Sequence, residues 1–234
     1  MIIAIDGPAG AGKSSVAKDV AKKLNYTYID TGAMYRALTW KAIKSNINIS
    51  DGSQLEKLLK ESKIELIPNN EENILKIYLD NNDITEQIRD PLVSNAVSEV
   101  SAHKSIRDIM VIKQRNIAQN KNGVVMDGRD IGTVVFPNAE IKIFLTASVE
   151  ERAKRRFIEQ ESKGISTDIN RLILEISKRD DYDSNRIIAP LKPAHDSIIL
   201  DTTSLDYGQV VNKFIQIVLD FEKELISEKL SFKK

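Results

Sequence analysis

Apolar residues along this chain fall into short continuous runs and into longer stretches in which they recur every three or four positions. The short runs are rich in β-branched residues and predict buried strands; they cover residues 2–5, 26–29, 124–126, 141–145 and 198–200. The periodic stretches predict helices; they cover residues 14–24, 33–44, 91–101, 104–119, 150–161, 169–178 and 205–224. This alternation is typical of a three-layer α/β fold, here with a parallel five-stranded core sheet.

The segment 50–88 departs from this alternation. Two short apolar runs, 63–68 and 74–79, flank the polar stretch 69–73 and predict an antiparallel hairpin. We therefore expect a small antiparallel lobe inserted into the α/β core. At the other end of the chain, the last ten residues predict a frayed tail.

Composition excludes several classes of function. The 234 residues carry 34 basic and 34 acidic side chains, and this balance argues against a nucleic-acid clamp. There is no cysteine and there are two histidines, which excludes disulfides and thiolate zinc sites and argues against an all-protein metal centre. No apolar run approaches the ~20 residues of a membrane-spanning helix, and the N-terminus lacks a signal peptide's basic region. We expect a cytoplasmic monomer with no membrane or nucleic-acid partner.

The strongest motif lies between the first predicted strand and the first predicted helix. It matches G-x-x-x-x-G-K-[ST], the P-loop, and consists of Gly7, Pro8, Ala9, Gly10, Ala11, Gly12, Lys13 and Ser14. Glycines let backbone N–H groups turn toward phosphate oxygens, and the helix N-terminus favours negative charge. Lys13 is expected to contact the β- and γ-phosphates of ATP, and the Ser14 hydroxyl to bind Mg²⁺.

Many functional classes share a P-loop, so other motifs must distinguish them. A regulatory GTPase needs N-K-x-D, whereas the nearest stretch here, 120–123, reads NKNG and lacks the carboxylate. A motor or transporter ATPase normally ends a strand in Asp-Glu, whereas the third predicted strand ends in Asp127-Gly128. These differences favour a small-molecule kinase.

Four arginines are candidates for the loops at one end of the sheet. Arg36 follows the turn after the second predicted strand, Arg129 follows the third strand, and Arg179 and Arg186 bracket the acidic run 180–183. Ligands of open α/β sheets bind at the carboxyl ends of the strands, and arginine binds phosphate through paired N–H groups. A single arginine of this kind is most often a solvated surface residue, but four of them indicate a phosphate-binding cluster.

Four sequence blocks together resemble the bacterial cytidylate kinases, which are P-loop nucleoside monophosphate kinases. The blocks are GPAGAGKSS at 7–15, DTGAMYR at 30–36, DGRDIGTVVFP at 127–137 and RDDYDSNRIIAPL at 179–191. The resemblance implies transfer of the γ-phosphoryl group of ATP, with Mg²⁺, to CMP or dCMP. Another P-loop kinase, acting on UMP, AMP or shikimate, stays open as an alternative, as does a regulatory module that only binds ATP.

The resemblance also implies roles for individual residues. Arg36, Arg129 and Arg186 would hold the α-phosphate of the acceptor; Ser98, Arg107 and Asp130 would read cytosine; Arg179 and Asp183 would contact the sugar, with Thr31 and Tyr35 nearby. Catalysis would rest on Lys13, Arg129 and Arg186, and ATP would be bound by residues 7–14, Ser15, Arg155 and Arg156. Cytosine's N4 amine needs an acceptor and its N3 and O2 need donors, which suits an Asp and an Arg. The plainer alternatives are an Asp130–Arg129 ion pair and a surface position for Arg107.

The same resemblance suggests how one domain over residues 1–234 is divided. The core covers 1–35, 90–150 and 187–226, the acceptor-side helices and inserted lobe cover 36–89, and a short lid covers 151–186. Arg152, Arg155 and Arg156 share one side of the lid's first helix, with 162–167 as the tip of the lid; a solvated charged face is the alternative for this cluster.

Overall fold

The computed structural model describes residues 1–69, 74–162 and 164–231. The strands are β1 (Ile2–Asp6), β2 (Thr27–Asp30), β3 (Ile64–Asn69), β4 (Ile74–Leu79), β5 (Asn82–Asp83), β6 (Val124–Gly128), β7 (Ile141–Thr146) and β8 (Ile198–Asp201). The α-helices are α1 (Lys13–Leu24), α2 (Thr31–Lys44), α3 (Gly52–Lys60), α4 (Pro91–Ala102), α5 (Lys104–Ala118), α6 (Val149–Ser162), α7 (Ile169–Asn185) and α8 (Tyr207–Ser231).

The core sheet has five parallel strands in the order β2-β6-β1-β7-β8, which confirms the predicted fold class. Strand β1 lies at the centre, and its Ile5 is in register with Asp127 of β6 and Ile143 of β7. All five strands of this sheet run in one direction, so the segments that follow β1, β2 and β6 meet at one edge of the sheet.

Helices cover both faces of this sheet. On one face, α1 and α8 pack against β1 through Val16, Val20, Phe214, Ile3 and Ile5. On the other face, α5 and the turn after β6 pack against the sheet through Ala118, Val135, Ala4 and Met126. The strands are apolar on both sides because both sides are covered, and three layers result.

The inserted lobe contains the predicted antiparallel hairpin, in which β3 pairs with β4 and β4 with β5. Its connection at 70–73 lies outside the described residues. The lobe also contains a helix, α3, that the prediction for 50–88 omitted. Leu55, Leu58 and Leu59 are buried at helical spacing, and the Asp51 carboxylate caps the first turn, so the sequence did contain a helix signal.

Three predicted helix ends were wrong. The N-cap of α2 is Asp30, whose carboxylate accepts from Ala33 N, whereas Thr31 is already helical. Helix α7 continues through the charged run to Asn185 because Asp183, a residue of that run, is buried against arginines. Helix α8 extends to Ser231, through most of the predicted tail, and residues 232–234 lie outside the described residues. Within the described ranges, no helix is long and apolar enough to cross a membrane.

Candidate functional site

The loop between β1 and α1 has a backbone that glycine makes possible. Gly10 and Gly12 have φ angles of +76° and +88°, in the left-handed region that favours glycine. A Cβ on Gly7 would lie 2.0 Å from the carbonyl oxygen of Leu145, so any side chain there would collide with β7. Helix α1 begins directly after the loop at Lys13, so its first N–H groups face the loop's concave side.

Lys13 and Ser14 lie at the start of α1 among buried groups. Lys13 is 6% exposed and its Nζ donates to the carbonyl oxygen of Pro8 at 2.7 Å. Burial, and then the nearby charge of Arg129, hold the pKa of the Lys13 amine well below its ordinary value. Among the described residues no carboxylate forms an ion pair with this amine, so the amine is suited to meet an incoming phosphate.

Asp127 is a candidate that the sequence-based site list omitted. Its carboxylate accepts a hydrogen bond from Ser14 Oγ at 2.7 Å and one from the Tyr28 hydroxyl at 2.9 Å. Burial, and then the nearby Asp30, raise its pKa to about 6. The available sequence signal was an acidic residue at the end of the third predicted strand; the structure places that residue in register with Ile5, next to the P-loop.

A second part of the site is a cavity between the sheet edge, α2, α4 and α7. It is lined by all ten residues predicted for the acceptor: Thr31, Tyr35, Arg36, Ser98, Arg107, Arg129, Asp130, Arg179, Asp183 and Arg186. They come from five separate segments of the chain, and the parallel sheet brings those segments together. Ser101, which was not predicted, also lines it.

Arg107 and Asp130 form a buried ion pair inside this cavity. The guanidinium of Arg107 donates to Asp130 and to the carbonyl oxygen of Ser101, and it lies 5.5 Å from the centre of the Tyr35 ring. Arg107 is 3% exposed and Asp130 is 4% exposed. Both plainer alternatives were therefore wrong: Asp130 pairs with Arg107 rather than Arg129, and Arg107 is not a surface residue.

The remaining arginines surround Asp183. Arg129 Nε donates to Asp183 Oδ2 at 3.0 Å. Burial alone would raise the pKa of Asp183, but Arg129 and Arg179 outweigh it and the pKa is lowered. Burial, and then the charge of Arg129, lower the pKa of Arg179 to about 10. A buried guanidinium whose pKa is lowered by neighbouring positive charge favours an anion beside it.

Three guanidinium atoms of the cavity have no hydrogen-bond partner in the described part of the chain: Arg107 Nε, Arg179 Nε and Arg186 Nη2. Buried donors of this kind are costly unless a ligand or water satisfies them. Arg36 differs, because its Nη2 is held by Asp30 at 2.8 Å. The Thr31 hydroxyl is also engaged, donating to Asp127 O at 2.7 Å.

The arginines of α6 have separate environments. Arg152 is buried; it donates to Ala9 O of the P-loop at 2.9 Å and pairs with Asp180 of α7 at 2.6 Å. Arg155 donates to Thr202 O at 2.7 Å and pairs with Glu151. Arg156 is close enough to Arg179 to lower its pKa. A uniformly solvated charged face was therefore the wrong alternative, and contact of Arg155 and Arg156 with ATP stays a prediction.

Comparison with known proteins decides which family this site belongs to. The family model for cytidylate kinase matches residues 3–220. The chain belongs to the cytidylate kinase family. The cytidylate kinase of Bacillus pumilus (strain SAFR-032) is 53% identical over 95% of this chain and 97% of the relative. That of Bacillus subtilis (strain 168) is 51% identical over 92% and 95%.

One solved structure supports the fold alone. It is an uncharacterized protein from Eubacterium ventriosum, 13% identical, covering 93% of this chain and 98% of its own, with a TM-score of 0.50. The resemblance drawn from the four sequence blocks is thus confirmed at the level of the family, and the regulatory-module alternative is disfavoured.

Proposed function

We propose that this chain transfers the γ-phosphoryl group of ATP to CMP or dCMP, giving ADP and CDP or dCDP. One observation carries the proposal: a cavity with a buried Arg–Asp pair and an arginine cluster lies beside the P-loop. Arg129 links the two parts, because it lines the cavity and its charge depresses the pKa of Lys13. Donor and acceptor phosphates bound at these two places would lie within reach of each other.

The buried pair suits cytosine. The Asp130 carboxylate can accept from the N4 amine, and Arg107 and Ser98 can donate to N3 and O2. Uracil presents a carbonyl oxygen where cytosine has the amine, so its lone pairs would face those of Asp130. A buried hydrogen-bonding site discriminates strongly against a base that leaves its groups unpaired.

The arginine cluster suits the acceptor phosphate. Arg129 and Arg186, with Arg36 released from Asp30, would hold the α-phosphate in line with the γ-phosphate of ATP, while Arg179 and Asp183 would contact the sugar. The acceptor oxygen is already an oxyanion, so no general base is needed. Phosphoryl transfer then depends on alignment and on stabilisation of charge by Lys13 and the arginines.

A magnesium ion fits the oxygen groups beside the P-loop. Ser14 Oγ and the Asp127 carboxylate lie 2.7 Å apart and are ligands of the kind that Mg²⁺ prefers. Burial of Asp127 with a raised pKa means that a cation would stabilise its charged form. When bound, the ion would neutralise charge on the ATP phosphates.

The predicted monomeric state, cytoplasmic location and division into core, lobe and lid remain part of this proposal.

An ADP-release assay with CMP, dCMP, UMP, AMP and shikimate tests the function. We expect CMP and dCMP to stimulate release strongly and UMP only weakly. Stimulation by UMP and not CMP would contradict the proposed acceptor, and stimulation by none of them would contradict the kinase.

Base recognition has its own test in Asp130→Asn, which keeps the shape of the side chain but can turn an amide donor toward uracil O4. We expect the ratio of kcat/KM for CMP to that for UMP to fall at least about tenfold, equivalent to ~1.4 kcal/mol. An unchanged ratio would mean that Asp130 does not read the base and only pairs with Arg107.

A further inference from the structure

The base-reading candidate Asp130 occupies an unusual backbone position. It immediately precedes a single π-helical turn, Ile131–Val135, whose N–H groups at Val134 and Val135 are bonded to the Asp130 carbonyl oxygen. An aspartate in this place normally turns its side chain back to cap the first free N–H groups of the turn. The Asp130 side chain makes no such cap, and it faces Arg107 in the cavity instead.

The capping is done by a different residue. Asp6, the last residue of β1, accepts hydrogen bonds from Ile131 N through Oδ1 and from Gly132 N through Oδ2, each at 2.7 Å. Asp6 is 4% exposed, so both carboxylate oxygens are committed to this turn. Two short hydrogen bonds from a central strand therefore fix the start of the segment that carries Asp130.

Gly132 lies close to both Asp6 and Lys142. A Cβ on Gly132 would lie 3.4 Å from Asp6 Oδ2 and 3.2 Å from the side chain of Lys142, so the carboxylate and the turn are already in close contact. The mechanism above uses neither Asp6 nor the turn. Asp6 also lies directly before Gly7 of the P-loop and feels the charge of Lys13, so an effect on the ATP side is the alternative to be distinguished.

We propose that Asp6 is a positioning residue for base selection: it caps the turn in place of Asp130 and so leaves the Asp130 carboxylate free for cytosine. This inference rests on the proposed function. Selection of cytosine over uracil then depends on the Asp6 carboxylate, which does not contact the base. Without the Asp6 cap, Asp130 would compete for the free N–H groups at Ile131 and Gly132 and would turn away from Arg107.

A double-mutant cycle tests this inference. Asp6→Asn keeps the size of the side chain but leaves only one oxygen to accept a hydrogen bond. Its amide NH₂ group then faces the second backbone N–H, so that two donors meet. We expect the CMP-to-UMP ratio of kcat/KM to fall about tenfold in Asp6→Asn, but by less than about twofold when the same change is made in Asp130→Asn, because the two residues act through one contact. The KM for ATP should stay within about twofold.

Two outcomes would overturn the proposal. An equal fall of the ratio in both backgrounds would mean that Asp6 does not act through Asp130, and a rise in KM for ATP with an unchanged ratio would mean that it acts on the P-loop. Calorimetric titration of CMP and UMP gives the same comparison without turnover. If the parent chain phosphorylates no nucleotide, the proposed function fails, whereas the titrations still report on Asp6.

A matched control separates positioning from folding. Asp51→Ala removes a carboxylate cap, on Ser53 N and Gln54 N of α3, at a residue that does not line the cavity, and should lower stability without changing the ratio. If Asp6→Asn does not fold, Asp6→Glu replaces it, because glutamate keeps both acceptor oxygens on a longer side chain. Asp6→Glu should lower the CMP-to-UMP ratio of kcat/KM in the parent chain but not in the Asp130→Asn variant. If neither variant folds, Asp6 is a structural residue and the proposal is wrong.

Discussion

At the scale of single residues, the site holds charged groups whose burial costs free energy when no ligand is bound. Lys13 is buried and donates to the Pro8 carbonyl oxygen, and Arg179 and Arg186 each keep a guanidinium nitrogen without a hydrogen-bond partner among the described residues. Such groups gain most when an anion enters, because their desolvation has already taken place. We infer that the binding of phosphates, rather than the folded state alone, stabilises them.

Lys13→Met removes one of these charges while keeping an unbranched side chain. We expect kcat to fall on the order of 10²–10³, because the lysine stabilises charge on the transferred group, and stability to stay level or rise, because a desolvated amine is lost. Steady-state kinetics and thermal unfolding measure the two effects. Lys22→Met, on the exposed end of the same helix, is the control, and turnover of Lys13→Met within a few-fold of it would contradict the assigned role.

At the scale of elements, α6 and α7 are connected to the phosphate loop by one side chain. Arg152 of α6 donates to Ala9 O and pairs with Asp180 of α7. One hydrogen bond and one ion pair therefore tie the P-loop to α6 and α7 in the unliganded protein. A buried pair of this kind adds little net stability when intact, but it is costly to break on one side.

Arg152→Met tests this connection. We expect the variant to lose about 1–3 kcal/mol of unfolding free energy, since the half-buried Asp180 loses its ion-pair partner, and to bind ATP more weakly while its affinity for CMP changes little. Urea denaturation and titration with each nucleotide measure these quantities. The double variant Arg152→Met/Asp180→Asn should recover stability but not ATP affinity; recovery of both would show that Arg152 has no separate effect on the loop.

At the scale of the whole molecule, two buried carboxylates at the sheet edge link stability to pH. Burial raises the pKa of Asp6 from 3.8 to about 7 and that of Asp127 from 3.8 to about 6. Because both values are raised, the folded state binds more protons than the unfolded state between pH about 4 and 7. These two groups therefore make the protein less stable as the pH rises through that range.

Asp127→Asn should remove part of this pH dependence. Its amide can still pair with the hydroxyls of Ser14 and Tyr28, and it stays neutral at all pH values. A pKa raised from 3.8 to about 6 corresponds to at most about 3 kcal/mol. We therefore expect the unfolding free energy of the variant, relative to that of the parent, to increase by roughly 1–3 kcal/mol from pH 4 to pH 8 in Mg²⁺-free urea denaturation. We also expect the variant to lose activity. A constant difference at both pH values would contradict the raised pKa.

The sequence by itself determined the α/β class, the strands of the core sheet and the family. It did so because buried strands, helical periodicity and the P-loop are local patterns that need no knowledge of distant contacts. The resemblance to a family also named ten residues that the structure brings together around one cavity, and their roles stay predictions. Helix α3 was not predicted, although Leu55, Leu58 and Leu59 lie at helical spacing and Asp51 caps the first turn.

The tertiary structure alone decided which charges face each other. Asp130 pairs with Arg107, 23 residues away, rather than with its neighbour Arg129, and Asp127 reaches Ser14 across 113 residues. These pairings follow from the order of the parallel strands, which places residues remote in sequence at one sheet edge. The same order brings Asp6 to the turn after Asp130. Burial at that edge then raises the pKa of Asp6 and of Asp127, and burial is a property of the packed molecule that no local pattern encodes.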